Sequence, residues 1–273
     1  MDNYLWLLQL HIMKTIIIPV DFSETSLNAA RYAAQMFSGH TDTSLILYSM
    51  FEEDSEADNT GNYLDSLQKE LQLKGNNTLD CVKERGDDFI ENLSRLAQQK
   101  TASLIVMGIT GRSPMEQKFV GSNTLKMVDK NICPVMIVPP EASFREVKNV
   151  AFTSDFVNVE ETTPVLFIKS VLDIFKPQLH IVNVDSSLYV SLTEELQASR
   201  AAMLSMFEEY KPEFYFIGTN DLHETINQFV FDKNIDLIVT VPRYHTFLST
   251  IFKGANTKKL VYQSSVPILA AHE

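Results

Sequence analysis

The chain has 273 residues, 45% of them hydrophobic, 10% aromatic and 21% charged, with a formal net charge of −12. That length suits two domains of ordinary size or one large one, and the apolar content supplies a core and argues against disorder. The acidic balance argues against nucleic acid or an anionic membrane as the main partner, because both need a basic surface, but leaves room for a small anionic ligand held by backbone N–H groups.

The first twelve residues, MDNYLWLLQLHI, are apolar but too short to span a bilayer, and they lack the basic start and small-residue cleavage site of a secretory signal. Two readings fit them: a non-native start ahead of Met13, or a short helix that packs on the body or on a partner. From Met13 the pattern alternates strand and helix. Thr15–Val20 is a β-branched run, and Ser23–Phe37 is a helix with Ala30, Ala33, Ala34 and Phe37 on one face, capped by Ser23. Ser44–Met50 is the next strand, Tyr63–Lys74 a helix, Leu79–Glu84 a strand broken by Gly86, and Asp87–Gln99 a helix. Ser103–Gly108 is a continuous apolar strand, Asn123–Lys130 a helix and Val135–Val138 a last strand.

The order then repeats. Strands are expected at Asn149–Thr153, Gln178–Val184, Glu213–Ile217, Asp236–Val241 and Val266–Ala270, with helices at Val159–Phe175, Leu192–Tyr210, Leu222–Lys233 and Thr257–Gln263. KTIIIPVDFSET from Lys14 answers KNVAFTSDFVNVEET from Lys148, and FVGSNTLKMVDKNICPVMIV from Phe119 answers FKGANTKKLVYQSSVPILAA from Phe252. Asp21 and Asp155 lie 134 residues apart, and Gly121 and Gly254 lie 133 apart. Two ends of one unit recur at nearly one spacing, so the unit is duplicated. The boundary falls near Pro139–Ser143, giving domains at 13–141 and 146–273. Near-continuous apolar strands alternating with helices imply an α/β fold: two tandem, five-stranded, parallel, doubly wound, Rossmann-like units.

In such a sheet ligands sit beyond the carboxyl ends of the strands, where the strand order reverses. The fourth strand runs into Gly108-Ile109-Thr110-Gly111, and Gly121-Ser122 opens the following helix, a G-x2-G-x9-G-S pattern. Glycines permit backbone angles that a Cβ would forbid and let the chain approach a ligand closely. Ser122 and Asn123 offer N–H donors at a helix N-terminus, whose partial positive charge suits a polyphosphate. Arg112 and Lys118 are nearby cations. The plainer reading is that these glycines only make turns.

With these residues the first unit resembles the universal stress protein family, whose ATP-binding members carry G-x2-G-x9-G-[S/T]. The opening Ile-Ile-Pro-Val-Asp-Phe-Ser-Glu-Thr-Ser and the closing Pro-Val-Met-Ile-Val resemble that family as well. The resemblance implies that Pro19, Val20 and Asp21 line an adenosine pocket, with Asp21 near the ribose. It puts Met50 at the adenine, where the family usually has Val, and Met107 and Gly108 beside the nucleoside. Gly111, Arg112, Gly121, Ser122 and Asn123 would hold the phosphates. The implied ligand is ATP, with or without magnesium, or AMP or ADP. Asp21 has a rival role as a turn residue. The resemblance also implies pairing through last strands, either between the two units of one chain or in a homodimer.

The second unit departs from the motif. Gly108 and Gly111 align with Val241 and Tyr244, Ser122 becomes Ala255, and seven of the nine glycines precede residue 150. That unit reads as degenerate, with Arg243 and His245 as markers of a different ligand site in the rival view. No G-x4-G-K-[ST] loop, G-x-G-x-x-G fingerprint or G-x-S-x-G elbow occurs. The histidines are scattered, and His180, in a strand, reads as a satisfied core or edge residue. Cys81 and Cys133 lack metal or redox spacing and read as reduced thiols of a cytoplasmic protein. Function is expected to be nucleotide binding in a stress response rather than catalysis, with a nucleotide-independent interaction module and a weak ATPase as alternatives.

Overall fold

The structure is a computed structural model that describes residues 13–73, 78–109, 122–185, 193–218, 222–241 and 266–271. The chain divides into two compact units, residues 1–145 and 146–273. The division falls within a few residues of the duplication boundary.

In the first unit the elements run β1 (Thr15–Pro19), α1 (Glu24–Met36), β2 (Ser44–Phe51), α2 (Ala57–Gln72), β3 (Thr78–Arg85), α3 (Phe89–Gln99), β4 (Leu104–Gly108), α4 (Ser122–Asp129) and β5 (Val135–Val138). The strands lie parallel in the order β3-β2-β1-β4-β5, with Ile17 opposite both Ile46 and Ile105. Ile16–Ile18, Leu45, Leu47 and Leu104–Val106 are fully or almost fully buried, as expected for strands covered on both faces. The order reverses between β1 and β4, so the crevice that suits a ligand opens at the carboxyl ends of those two strands.

Caps fix where the helices start. The Ser23 side chain accepts from the N–H of Ser26 at 3.3 Å at the head of α1, and Asp88 accepts from the N–H of Glu91 at 3.0 Å at the head of α3. Helix α2 starts six residues before the expected Tyr63. A reciprocal capping box between Glu53 and Glu56 closes a 3-10 turn at Asp54–Glu56, and this carries Asn59-Thr60-Gly61-Asn62 into the helix despite their loop-like composition.

The second unit runs β6 (Asn149–Thr153), α5 (Val159–Thr162), α6 (Val165–Phe175), β7 (Gln178–Asp185), α7 (Glu194–Phe207), β8 (Glu213–Gly218), α8 (Leu222–Asp232), β9 (Leu237–Thr240) and β10 (Ile268–Ala270). Its strands are parallel in the order β10-β9-β6-β7-β8, which repeats the first unit's winding. The single helix expected over Val159–Phe175 is two helices. Thr163 precedes Pro164 and takes ψ of 117°, the extended conformation that a following proline imposes, so the helix stops and restarts. Helix α7 begins at Glu194, capped by Thr193, and tightens into a 3-10 turn at Glu208–Tyr210. The helix expected at Thr257–Gln263 lies outside the described residues.

Candidate functional site

At the carboxyl edge of the first sheet the turn after β1, the end of β4 and the starts of α1 and α4 come together. Strand β1 ends at Pro19 and continues into Val20-Asp21-Phe22-Ser23. The Asp21 carboxylate accepts from the N–H of Ser23 at 3.0 Å and from the Ser23 hydroxyl at 2.6 Å, closing an Asx turn. The N–H of Asp21 donates to the Ser26 hydroxyl at 3.3 Å, so strand end and helix start are tied together. Partial desolvation raises the Asp21 pKa, but the hydrogen bonds from Ser23 and Ser26 outweigh it, and the net shift is below the usual carboxylate value. This site therefore presents a carboxylate that stays ionised near neutral pH. Between Asp21 and Ser23, Phe22 takes φ of +63°, an uncommon angle for a bulky residue.

Strand β4 supplies the opposite wall. A Cβ on Gly108 would lie 2.4 Å from the carbonyl oxygen of Thr25 and 3.2 Å from the N–H nitrogen of Ser26. Glycine is needed at 108 because the first turn of α1 packs directly on it. Its φ lies outside the left-handed range, so the expectation of a special backbone angle at 108 is corrected to a need for space. The carbonyl of Gly108 accepts from the Thr124 hydroxyl at 3.0 Å, and Thr124 is buried. This bond holds the first turn of α4, Ser122-Asn123-Thr124, beside the end of β4.

The expected site residues divide by exposure. Asp21 is exposed, and Met50 and Gly108 are half-buried. Pro19, Val20 and Met107 are buried. Ser122 and Asn123 stand at the start of α4. Gly111, Arg112 and Gly121, with Lys118, lie outside the described residues. The packing of Thr25 on Gly108 has no local signal in the sequence, and the Thr124 hydroxyl is signalled only by the polar run Ser122-Asn123-Thr124 after a glycine.

Residues 13–139 match the Universal stress protein family. The first unit belongs to that family. Relatives of the universal stress protein unit include a universal stress protein of Methanocaldococcus jannaschii, 26% identical over 147 residues, spanning 47% of this chain and 83% of that one. A second, from Synechocystis, is 28% identical over 139 residues, spanning 47% of this chain and 87% of that one. Over nearly the whole chain the fold is similar to that of a universal stress protein from Archaeoglobus fulgidus, with a TM-score of 0.68, 16% identity and coverage of 96% of this chain and 97% of that one. A universal stress protein structure from Pseudomonas aeruginosa is similar at a TM-score of 0.63, 15% identity and coverage of 97% and 95%.

The second unit repeats the Asp-Phe turn of the universal stress protein unit, and of the motif glycines only Gly121 has a counterpart, Gly254. Asp155 accepts from the N–H of Val157 at 3.0 Å, and Phe156 takes φ of +59°. Phe156 is buried, with its ring 5.0 Å from that of Phe216, whereas Phe22 is half-buried and its ring lies 5.2 Å from that of Tyr63, itself largely exposed. The Asp-Phe pair thus makes the same turn in both units. Arg243 and His245 lie outside the described residues.

His180 is buried, and its place in the core departs from a fully satisfied histidine. The Nε2 lies 3.2 Å from Oδ1 of Asn149, while the buried Nδ1 has no hydrogen-bond partner among the described residues and stands 3.6 Å from the Glu213 carboxylate. Burial lowers its pKa, Glu213 opposes that shift and Lys233 adds to it. Burial pushes the Cys133 thiol up to about 12, and burial with Asp65 and Asp80 pushes Cys81 up to about 11, so both stay protonated at neutral pH. Among the described residues no group of three or more His, Cys, Asp or Glu is placed to hold a metal ion, and no helix is long and apolar enough to cross a membrane.

Proposed function

We propose that the first unit binds an adenine nucleotide, ATP foremost, as a structural or regulatory ligand in a stress response, and that it does so by binding rather than turnover. The observation that carries this reading is the 3.0 Å bond from the Thr124 hydroxyl to the Gly108 carbonyl, which keeps the N-terminus of α4 at the strand-order reversal. A helix N-terminus carries unpaired N–H groups and partial positive charge, so it suits a phosphate. The glycine spacing on either side of that bond allows the backbone to approach such a group. The bound nucleotide would bias a conformation or a partner surface by its differential affinity for the two states.

The test combines mass spectrometry of denatured, freshly purified protein with calorimetric titration of ATP and ADP. The expected result is a co-purified or titratable adenine nucleotide whose binding is lost in G121D. Absence of any ATP or ADP binding, with G121D indistinguishable from the parent chain, would sink the proposal.

A further inference from the structure

At the carboxyl ends of β2 and β3 an amide side chain is held beside Met50, the position that the family resemblance puts at the adenine, with most of its hydrogen-bonding capacity unused. Asn92, in the first turn of α3, is half-buried, and its Nδ2 lies 3.6 Å from the Met50 sulfur. A thioether is a weak acceptor, so this contact positions the amide more than it satisfies it. The side chain sits over Gly86, where a Cβ would lie 1.9 Å from Nδ2 and 3.2 Å from the Met50 sulfur. The N–H of Gly86 donates to the carbonyl of Phe51 at 3.0 Å, which fixes the glycine against the end of β2. Gly86 therefore leaves a slot, and Asn92 fills it against Met50. Among the described residues, Oδ1 and the second amide hydrogen of Asn92 have no partner.

We propose that Asn92 reads the edge of the nucleotide base and selects adenine over guanine; this rests on the nucleotide-binding reading of the same site. The chemistry is a matter of donor and acceptor order. With the amide hydrogen trans to the carbonyl turned to Met50, the cis hydrogen and Oδ1 would remain as an adjacent donor and acceptor. Adenine offers the matching acceptor and donor at N7 and N6, whereas guanine offers two acceptors at N7 and O6. A guanine in the same place would set its O6 against Oδ1 of Asn92. Met50 gives the base an apolar, polarizable contact, which is compatible with the departure from the usual valine.

The experiment is calorimetric titration of the full-length parent protein and N92L with ATP and with GTP. Leucine keeps the branched heavy-atom skeleton of the side chain and removes both polar groups, and circular dichroism with thermal unfolding establishes that the variant is folded. N92S serves in its place if leucine disturbs the slot. The parent should prefer ATP by roughly tenfold or more, and the variant should lose ATP affinity by a similar factor while its ATP-to-GTP ratio falls toward one. ATP binding by the parent with no preference over GTP, or a preference unchanged in the folded variant, would overturn the role of Asn92 and leave the nucleotide site standing. No binding of either nucleotide by the parent would overturn both.

Discussion

Gly108 meets α1 backbone to backbone, and neither side can swing away. A methyl group 2.4 Å from the Thr25 carbonyl forces the helix start to shift, so G108A should destabilise the protein by about 1–3 kcal/mol. Urea unfolding without nucleotide measures this, and unchanged stability would contradict the packing role. The sequence marked residue 108 as one that could not carry a side chain, but the neighbour that forbids it comes from far upstream and had no local signal. His180 makes a second prediction at this scale. Its folded pKa lies below the unfolded value of 6.5, so the neutral form stabilises the native state above pH 6.5 and that contribution is lost as pH falls through the folded pKa. Stability measured from pH 7 downward should decline with a component that H180F removes; an identical pH profile in the variant would count against it. Sequence placed His180 in a strand, but the orphaned Nδ1 depends on Asn149 and Glu213 from two neighbouring strands.

Helix starts are where element-scale predictions are sharpest. Ser23 and Thr193 both cap helices by accepting from the third residue on, at 3.3 and 3.2 Å. T193A should cost about 1 kcal/mol, an ordinary N-cap loss. S23A should cost more, because the same hydroxyl also donates to Asp21 at 2.6 Å and supports the Asx turn. Denaturant unfolding of the two variants gives the comparison, and equal losses would show that the turn draws nothing from Ser23. Both caps follow the simple rule of a small polar residue before a helical pattern, but the expected helix already begins at Leu192, which hides the cap at Thr193. Two other boundaries depended on features that periodicity does not carry. The early start of α2 required a reciprocal Glu53–Glu56 contact, and the break before α6 required the effect of Pro164 on Thr163 to override an unbroken apolar pattern.

Across the chain, one winding is used twice. The order β3-β2-β1-β4-β5 of the first unit recurs as β8-β7-β6-β9-β10 in the second, and the Asp-Phe turn recurs with it at φ of +63° and +59°. This much was legible, because duplication, apolar strands and helical periods are all local patterns with a fixed spacing. In sequence the units differ where Val241 and Tyr244 stand in place of Gly108 and Gly111. What was not legible is how the site is held: the Thr124 bond, the Thr25 contact and the Asn92 slot join residues from separate elements. The proposed function implies one competent nucleotide site per chain, in the first unit. The stoichiometry of ATP binding to the full-length protein by calorimetry, alongside G121D, tests this most directly. One ATP per chain is expected, and none in the variant. Two per chain, or none in the parent protein, would contradict it.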